Sequence, residues 1–334
     1  MSSLDIARLA GVSQATVSRV LSGKGYVAEK TRLKVLKVVK DCGYRPNPFA
    51  QAMRTKQSSA VGVAVSRMTN PIVPEILEAL SNHLAELGRR VVVWNTDAEG
   101  EGGVIGAIQQ RSVDGVIFTA ASQQSAAMHA ALDGDLPVVS INRYLEDADC
   151  DQIVSTNFEG ARIIARYLVD SGRRRIAFIN GPKNRTTLAD REHGFRQGLS
   201  EAGQELTAPL YGQTTFSHDH FRQVAIEMMD QKAPPDAIAC GNDLIAFAVL
   251  SGLKARGVSV PSDVWVTGFD GIEMSGWDVF DLTTMQQPLT LMASEAVEAL
   301  INRIEDKKTK PRLIQFRTEF IPRGSTAHTP LWDA

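Results

Sequence analysis

Gln14, Ala15, Ser18 and Arg19 stand on one side of a short helical pattern, Gln14-Ala15-Thr16-Val17-Ser18-Arg19-Val20-Leu21, and Val17 and Val20 take the other side. At about 100° per residue the first group makes a short polar face tipped by one guanidinium. Such a face suits base edges in a DNA major groove, where guanine O6 and N7 accept two hydrogen bonds from one arginine. The competing interpretation is a small amphipathic bundle whose polar face is merely solvated. A second set of polar residues falls where apolar, strand-like runs end. It comprises Asn70, Asn142 and Arg143, Asn157, Arg191, Asn242 and Asp243, Asp270, and Gln287. Amides, carboxylates and fork-like guanidinium groups in that company hydrogen-bond a small ligand rich in hydroxyls. Each also has a local interpretation as a loop polar residue or helix cap, and Asn70 fits either role before the helical pattern at residues 73–87.

The first set needs a helix-turn-helix. In Leu4-Asp5-Ile6-Ala7-Arg8-Leu9-Ala10 the apolar face is Ile6, Leu9 and Ala10, with Ser3 placed to cap the helix start. Gly11 permits the turn, Ser13 caps the second helix, and Ser22-Gly23 ends it. A third helix follows, then an isolated segment, Asn47-Pro48-Phe49-Ala50-Gln51-Ala52-Met53-Arg54, with Asn47 as cap and Pro48 at the first helical position. So short a helix is marginal on its own. Residues 54–59 read as a linker. Charge supports the division: residues 1–58 hold 11 Lys and Arg against 3 Asp and Glu, and the remainder 25 against 35. The whole-chain net of −2 therefore hides a head of +8 on a body of −10. Only the head is suited to a polyanion.

The second set needs a parallel sheet. Apolar runs at 60–65, 91–94, 115–118, 137–141 and 153–155 alternate with helical patterns, and a second series follows at 175–179, 237–239 and 264–268. Two α/β lobes result, with ligands expected at the carboxyl ends of the strands, in the cleft where the lobes face each other.

A length of 334 residues with 43% apolar content supports several soluble domains. The longest apolar runs are strand-sized, so no membrane span is expected, and the start carries no signal-peptide core. Cys42, Cys150 and Cys240 are widely spaced and odd in number, which fits reduced thiols in a cytoplasm. Enzymatic motifs fail on inspection. In Gly100-Glu101-Gly102-Gly103-Val104-Ile105-Gly106 a dinucleotide loop would need glycine where Ile105 stands. There is no GxSxG, HExxH or Walker loop, and His218-x-His220 reads as a surface loop, so no catalytic residue, metal or cofactor is expected.

The run LDIARLAGVSQATVSRVLSGKGYVAEKTRLKVLKVVKDCGYRPNPFAQAMR resembles the headpiece of the LacI/GalR family of bacterial repressors, in its AGVS turn, TVSRVL helix, V-x-x-x-TR entry to the third helix and GYRPN exit. The similarity continues through nearly the whole chain. The resemblance implies a small all-α helix-turn-helix headpiece at 1–58, with a hinge helix at about 47–55, on a periplasmic-binding-protein-like core of two doubly wound parallel-sheet lobes. One lobe is 59–155 plus 289–316 and the other 157–287 plus 318–330. It further implies that Gln14, Ala15 and Arg19 read bases, that Ser13, Thr16 and Ser18 hold phosphates, and that Asn47, Ala50 and Met53 belong to the hinge contact. Met53 stands where the family wedges a leucine into the minor groove. The strand-end residues listed above would bind effector, with Phe216 stacking on it. The implied protein is a cytoplasmic homodimer that binds a pseudo-palindromic operator under control of a small molecule. That effector is a sugar, sugar acid or sugar phosphate, with a purine as the alternative; both senses of control, release from DNA and recruitment to it, stay open. The tail after Arg323 lacks the leucine heptads of tetrameric members. The runner-up is a small-molecule binding or sensing protein without an operator-specific role.

Overall fold

Ser2 starts the first helix through a reciprocal cap: its hydroxyl accepts from the Asp5 amide at 3.3 Å, and its own amide donates to Asp5 Oδ2 at 2.8 Å. The cap is thus one residue earlier than Ser3, because the Ser-x-x-Asp pairing satisfies two groups at once. The Ser2 amide, and with it the Ser2 hydroxyl at 2.9 Å, both donating to Asp5 Oδ2, hold the Asp5 carboxyl below its ordinary value. Helix α1 (Ser3–Ala10) ends at Gly11, whose φ of +58° is the left-handed conformation glycine adopts without strain. Its buried face is Ile6, Ala7 and Ala10, whereas Leu9 is 58% exposed. Those three residues center on a direction roughly 100° from Leu9, which corrects the expected face. Helix α2 (Gln14–Ser22) is capped by Ser13, whose hydroxyl accepts from the Thr16 amide at 3.1 Å. Helix α3 (Glu29–Asp41) adds Val35 to a small core with Ile6, Ala7, Ala10, Val17 and Val20.

The computed structural model describes the chain except residues 23–24, 45–57, 120–124, 183–184, 214–216, 307–309 and 327–334. The hinge segment with Asn47, Ala50 and Met53, as well as Phe216, lies outside the described residues. The chain forms two compact units, Met1–Ser59 and Ala60–Ala334.

In the second unit, β1 (Ala60–Val65) is buried at every position, as a strand covered on both faces must be. The chain continues through α4 (Ile72–Glu86), β2 (Arg90–Asn95), the single-turn α5 (Thr96–Glu99), α6 (Gly102–Gln109), β3 (Gly115–Phe118), α7 (Ala126–Asp133), β4 (Val138–Ile141) and β5 (Asp151–Ser155). It then crosses into α8 (Asn157–Asp170), β6 (Ile176–Asn180), α9 (Thr186–Glu201), β7 (Tyr211–Gln213), α10 (His218–Met229), β8 (Ala237–Cys240), α11 (Asp243–Arg256), β9 (Trp265–Thr267) and β10 (Thr284–Gln286). Helix α12 (Leu289–Glu305) returns to the first sheet, β11 (Leu313–Phe316) joins that sheet's edge, and β12 (Glu319–Ile321) pairs antiparallel with β10.

The first sheet runs β2-β1-β3-β4-β5-β11 and the second β7-β6-β8-β9, each wholly parallel. The chain passes between them at residues 155–157, 287–289 and 316–318. Strand order reverses between β1 and β3 in one sheet and between β6 and β8 in the other, which opens a crevice at the carboxyl ends of those strands. Beyond the expected runs, the structure adds four short strands, β7, β10, β11 and β12. Strand β11 is pinned by Asp151, whose buried carboxylate accepts from Arg303 Nε at 2.6 Å and the Arg312 amide at 2.9 Å. Helices α8 and α9 approach so closely that a Cβ on Gly194 would fall 2.0 Å from the Phe158 carbonyl oxygen. That contact fixes the start of α9, where Arg191 sits. Among the described residues no helix is long and apolar enough to cross a membrane.

Candidate functional site

Two sites emerge. In the head, packing of Val17 and Val20 into the core leaves Gln14, Ala15 and Arg19 exposed on the opposite side of α2. Gln14 Nε2 donates to Ser3 Oγ at 2.9 Å, so its amide is held toward the start of α1. The Ser13 and Thr16 hydroxyls lie 2.9 Å apart at the front of the helix, where orphan backbone amides and the helix dipole favor an anion.

In the core, the crevice holds Asn70, Asn142, Arg143, Arg191, Asn242 and Asp270, together with Arg67, Arg185, Thr187 and Leu188. Arg191 is its best-held side chain, 3% exposed. Nε donates to Asn157 Oδ1 at 2.8 Å, Nη1 to the Gly241 carbonyl at 2.8 Å, and Nη2 pairs with Asp270 Oδ1 at 2.9 Å. The guanidinium also lies 3.8 Å over the Phe269 ring. Burial lowers the Arg191 pKa and the Asp270 charge opposes that shift. Asp270 holds φ +130°, a conformation side-chain-bearing residues rarely adopt. The backbone around it is bracketed, its amide donating to the Met285 carbonyl and its carbonyl accepting from Gln287, both at 2.9 Å.

Gln287 is 3% exposed and lies behind the crevice. Its Nε2 donates to Asp270 Oδ1 at 2.8 Å and its Oε1 accepts from the Ser155 hydroxyl at 2.7 Å. A continuous chain therefore runs Asn157–Arg191–Asp270–Gln287–Ser155 and ties the crevice floor to two of the inter-lobe crossings. Asn157, 4% exposed, contributes its Oδ1 to Arg191 and its Nδ2 to the Ser155 carbonyl.

Asp243 departs from the expected arrangement. It is fully buried, with Oδ2 accepting from the Gly271 and Ile272 amides at 2.8 and 3.0 Å and Oδ1 from the Thr284 hydroxyl at 2.6 Å. Its carboxylate staples the loop that carries Asp270 and does not line the crevice. Burial, then the Asp270 charge, pushes its pKa up to about 7. The neighboring Asn242 caps α11 through the Ile245 amide at 2.9 Å while lining the crevice. Asn70 does not cap α4 with its side chain; it lines the crevice.

The sequence named two guanidinium groups near the cleft, and the structure places four there. Arg67 lies in the connection after β1 that also carries Asn70, and Arg185 immediately precedes α9. An adjoining hollow of about 480 Å³ shares Asn142 and Thr187 with the crevice and continues along Tyr144, Val154, Phe158 and Leu313, with Glu159 and Asp190 as its acids. His218 and His220 are exposed at the start of α10, and not in a loop. Cys150 and Cys240 are buried free thiols with raised pKa values, in each case chiefly because of burial.

A helix-turn-helix head followed by a two-lobed core with a polar crevice defines the class of ligand-responsive DNA-binding regulators. Comparison with known proteins agrees. Residues 4–47 match the model of bacterial regulatory proteins of the lacI family, and residues 165–326 match that of a periplasmic binding protein-like domain. The chain is 30% identical over 325 residues to the HTH-type transcriptional repressor PurR of Vibrio parahaemolyticus serotype O3:K6, covering 96% of this chain and 97% of that one. It is 31% identical over 324 residues to the ribose operon repressor of Halalkalibacterium halodurans, covering 96% of each. Among solved structures, the lac repressor dimer bound to operator and the anti-inducer ONPF superposes with a TM-score of 0.85 at 26% identity, covering 98% of this chain and 99% of that one. The chain belongs to the lacI family of bacterial regulatory proteins. It is a DNA-binding transcriptional regulator with an effector-binding core, not an enzyme.

Proposed function

We propose that this regulator is a cytoplasmic repressor that acts as a homodimer on a two-fold symmetric operator, under control of a sugar-type effector bound in the core crevice. Arg19, Gln14 and Ala15 read bases in the major groove, and Ser13, Thr16 and Ser18 hold flanking phosphates. The hinge residues Asn47, Ala50 and Met53 complete the contact at the dyad, where one head needs its twin. In the crevice, Asn70, Asn142, Arg143, Arg191, Asn242 and Asp270 face the effector, and Phe216 supplies the flat apolar wall. Asn157 and Gln287 position Arg191 and Asp270 from behind, and Asp243 holds their loop.

The observation that carries the proposal is the hydrogen-bond chain from Arg191 through Asp270 and Gln287 to Ser155. A ligand that draws on Arg191 or Asp270 alters bonds made directly to the crossing strands, and so biases the relative setting of the two lobes. That supplies differential contacts between two states, which is what coupling to DNA affinity requires. The ribose operon repressor and the dimeric lac repressor on operator support the sugar class and the dimer.

A thermal-shift screen of the full chain against neutral sugars, sugar acids, sugar phosphates and purines, followed by gel shifts on promoter DNA at fixed salt with each hit, tests the proposal. A hit that changes DNA affinity by about 5- to 150-fold supports it. Hits that leave DNA affinity unchanged would reduce the protein to a ligand binder.

A further inference from the structure

The hollow of about 480 Å³ beside the crevice shares Asn142 and Thr187 with it, and its other described lining residues are its own. Its volume is in the range of small-molecule sites. Both lobes supply its walls. Tyr144 comes from the connection after β4, Val154 from β5 and Leu313 from β11, whereas Phe158 and Glu159 come from α8 and Asp190 from α9. The first crossing, residues 155–157, lies along it, and the Thr186 hydroxyl donates to the Tyr144 carbonyl at 3.4 Å beside it. An occupant would therefore touch both lobes at once.

The chemistry of this lining is not that of the crevice. Arginines line the crevice, whereas the charged side chains among the described residues of the hollow are two carboxylates, Glu159 and Asp190. Glu159 is paired with Arg162 at 3.0 Å. Asp190 is half-buried, and among the described residues its carboxylate makes no hydrogen bond. Burial raises its pKa, and the His193 and Arg191 charges offset only part of that shift. Asp190 and Arg191 are consecutive on α9, so their side chains point about 100° apart: Arg191 turns inward to Asp270, and Asp190 lines the hollow. Around that carboxylate, Val154 and Leu313 add aliphatic surface and Tyr144 and Phe158 add rings. Burial, then the Asp190 and Glu146 charges, raises the Tyr144 pKa, so its ring stays neutral. A carboxylate beside aromatic rings suits a cation carried on a flat apolar body, because the ammonium donates to the carboxylate while ring faces attract its charge.

We propose that this hollow is a second ligand site, distinct from the effector crevice, for a small organic amine whose ammonium rests on Asp190 and whose apolar body lies against Tyr144, Phe158 and Leu313. Asp190 sets the charge of the ligand, and the apolar wall sets its shape.

The test titrates the full chain by calorimetry, at neutral pH and matched ionic strength, with benzylamine, benzyl alcohol and benzoate. The three probes carry one ring with a positive, a neutral and a negative group. Benzylamine should bind with a dissociation constant on the order of 1 mM or tighter, and about tenfold or more tightly than either of the others. Asp190→Asn keeps the shape of the side chain and should weaken benzylamine about tenfold while changing benzyl alcohol little. Leu313→Lys puts an ammonium at the edge of the hollow and should weaken benzylamine as well. Leu313 is 55% exposed, so this variant does not depend on repacking the core, and melting temperature checks that each variant folds. The proposal is overturned if benzylamine binding does not saturate by about 10 mM. It is equally overturned if benzyl alcohol or benzoate binds as tightly, or if either folded variant binds benzylamine as the parent does. Both variants keep Arg191 and Asp270, so failure here leaves the effector crevice standing.

Discussion

Glu75 on α4 accepts a 2.9 Å hydrogen bond from the backbone amide of Glu273, at the start of a short 3-10 turn in the second lobe. The bond joins the two lobes directly, as does the weaker one from the Thr186 hydroxyl to the Tyr144 carbonyl at 3.4 Å, in addition to the three crossings. Glu75 is half-buried, and burial is the main cause of its raised pKa, with the Glu273 amide pulling the other way. Such a tie exists only while the lobes are close.

Glu75→Ala should therefore shift the core toward an open setting. A neutral or charge-assisted hydrogen bond of this type contributes about 0.5–3 kcal/mol. The expected outcome is a larger radius of gyration by small-angle scattering and an effector affinity weakened several-fold. Scattering and affinity both equal to the parent would show that the bond does not restrain closure.

Arg191 and Asp270 call for paired substitutions. Their side chains are each 4% exposed, so removing one leaves a buried charge without its counterpart, at a cost of about 3–5 kcal/mol. Arg191→Ala and Asp270→Ala should each lower the melting temperature of the core. The double variant Arg191→Met with Asp270→Asn should recover much of that loss and still fail to bind effector. If the single variants melt like the parent, the pair does not support the lobe.

Much of the frame was legible because its signals are periodic. Strands 60–65 and 115–118 appear at the expected residues, as their unbroken apolar runs dictate, and Val17 and Val20 turn inward on α2. The four added strands are three or four residues long, too short for alternation to show. Asp243 was misplaced because Asn242 and Asp243 are consecutive at a helix start. Asn242 is the extended N-cap of α11 and lines the crevice, whereas Asp243 is its first helical residue and turns into the lobe. Arg67 and Arg185 sit in connections without periodicity, which gives the sequence no signal for them. Arg67 holds φ +56°, which no residue pattern announces.

The buried Asp243 gives the core a pH dependence of definite sign. Its pKa is raised from the model-peptide range to about 7 in the folded state, so folding favors its protonated form. That contribution is fully present below pH about 4 and is lost as pH rises through about 7. Between pH 5.5 and 8 the core should lose melting temperature, at roughly 2–4 °C for each kcal/mol. Asp243→Asn should flatten this slope while lowering stability overall, because the NH2 group set where Oδ1 now lies cannot accept from the Thr284 hydroxyl. A parent curve that rises across this interval, or a variant with the same slope, would remove Asp243 as the cause.

The central claim is that α2 reads DNA sequence, and selection of binding sites from a random duplex library by the full-length chain tests it most directly. The predicted result is enrichment of one two-fold symmetric site. Arg19→Ala should bind that site more weakly by roughly 1–3 kcal/mol at equal salt, with little change on unrelated DNA. No enriched sequence, or equal affinity of Arg19→Ala and the parent for the enriched site, would contradict it.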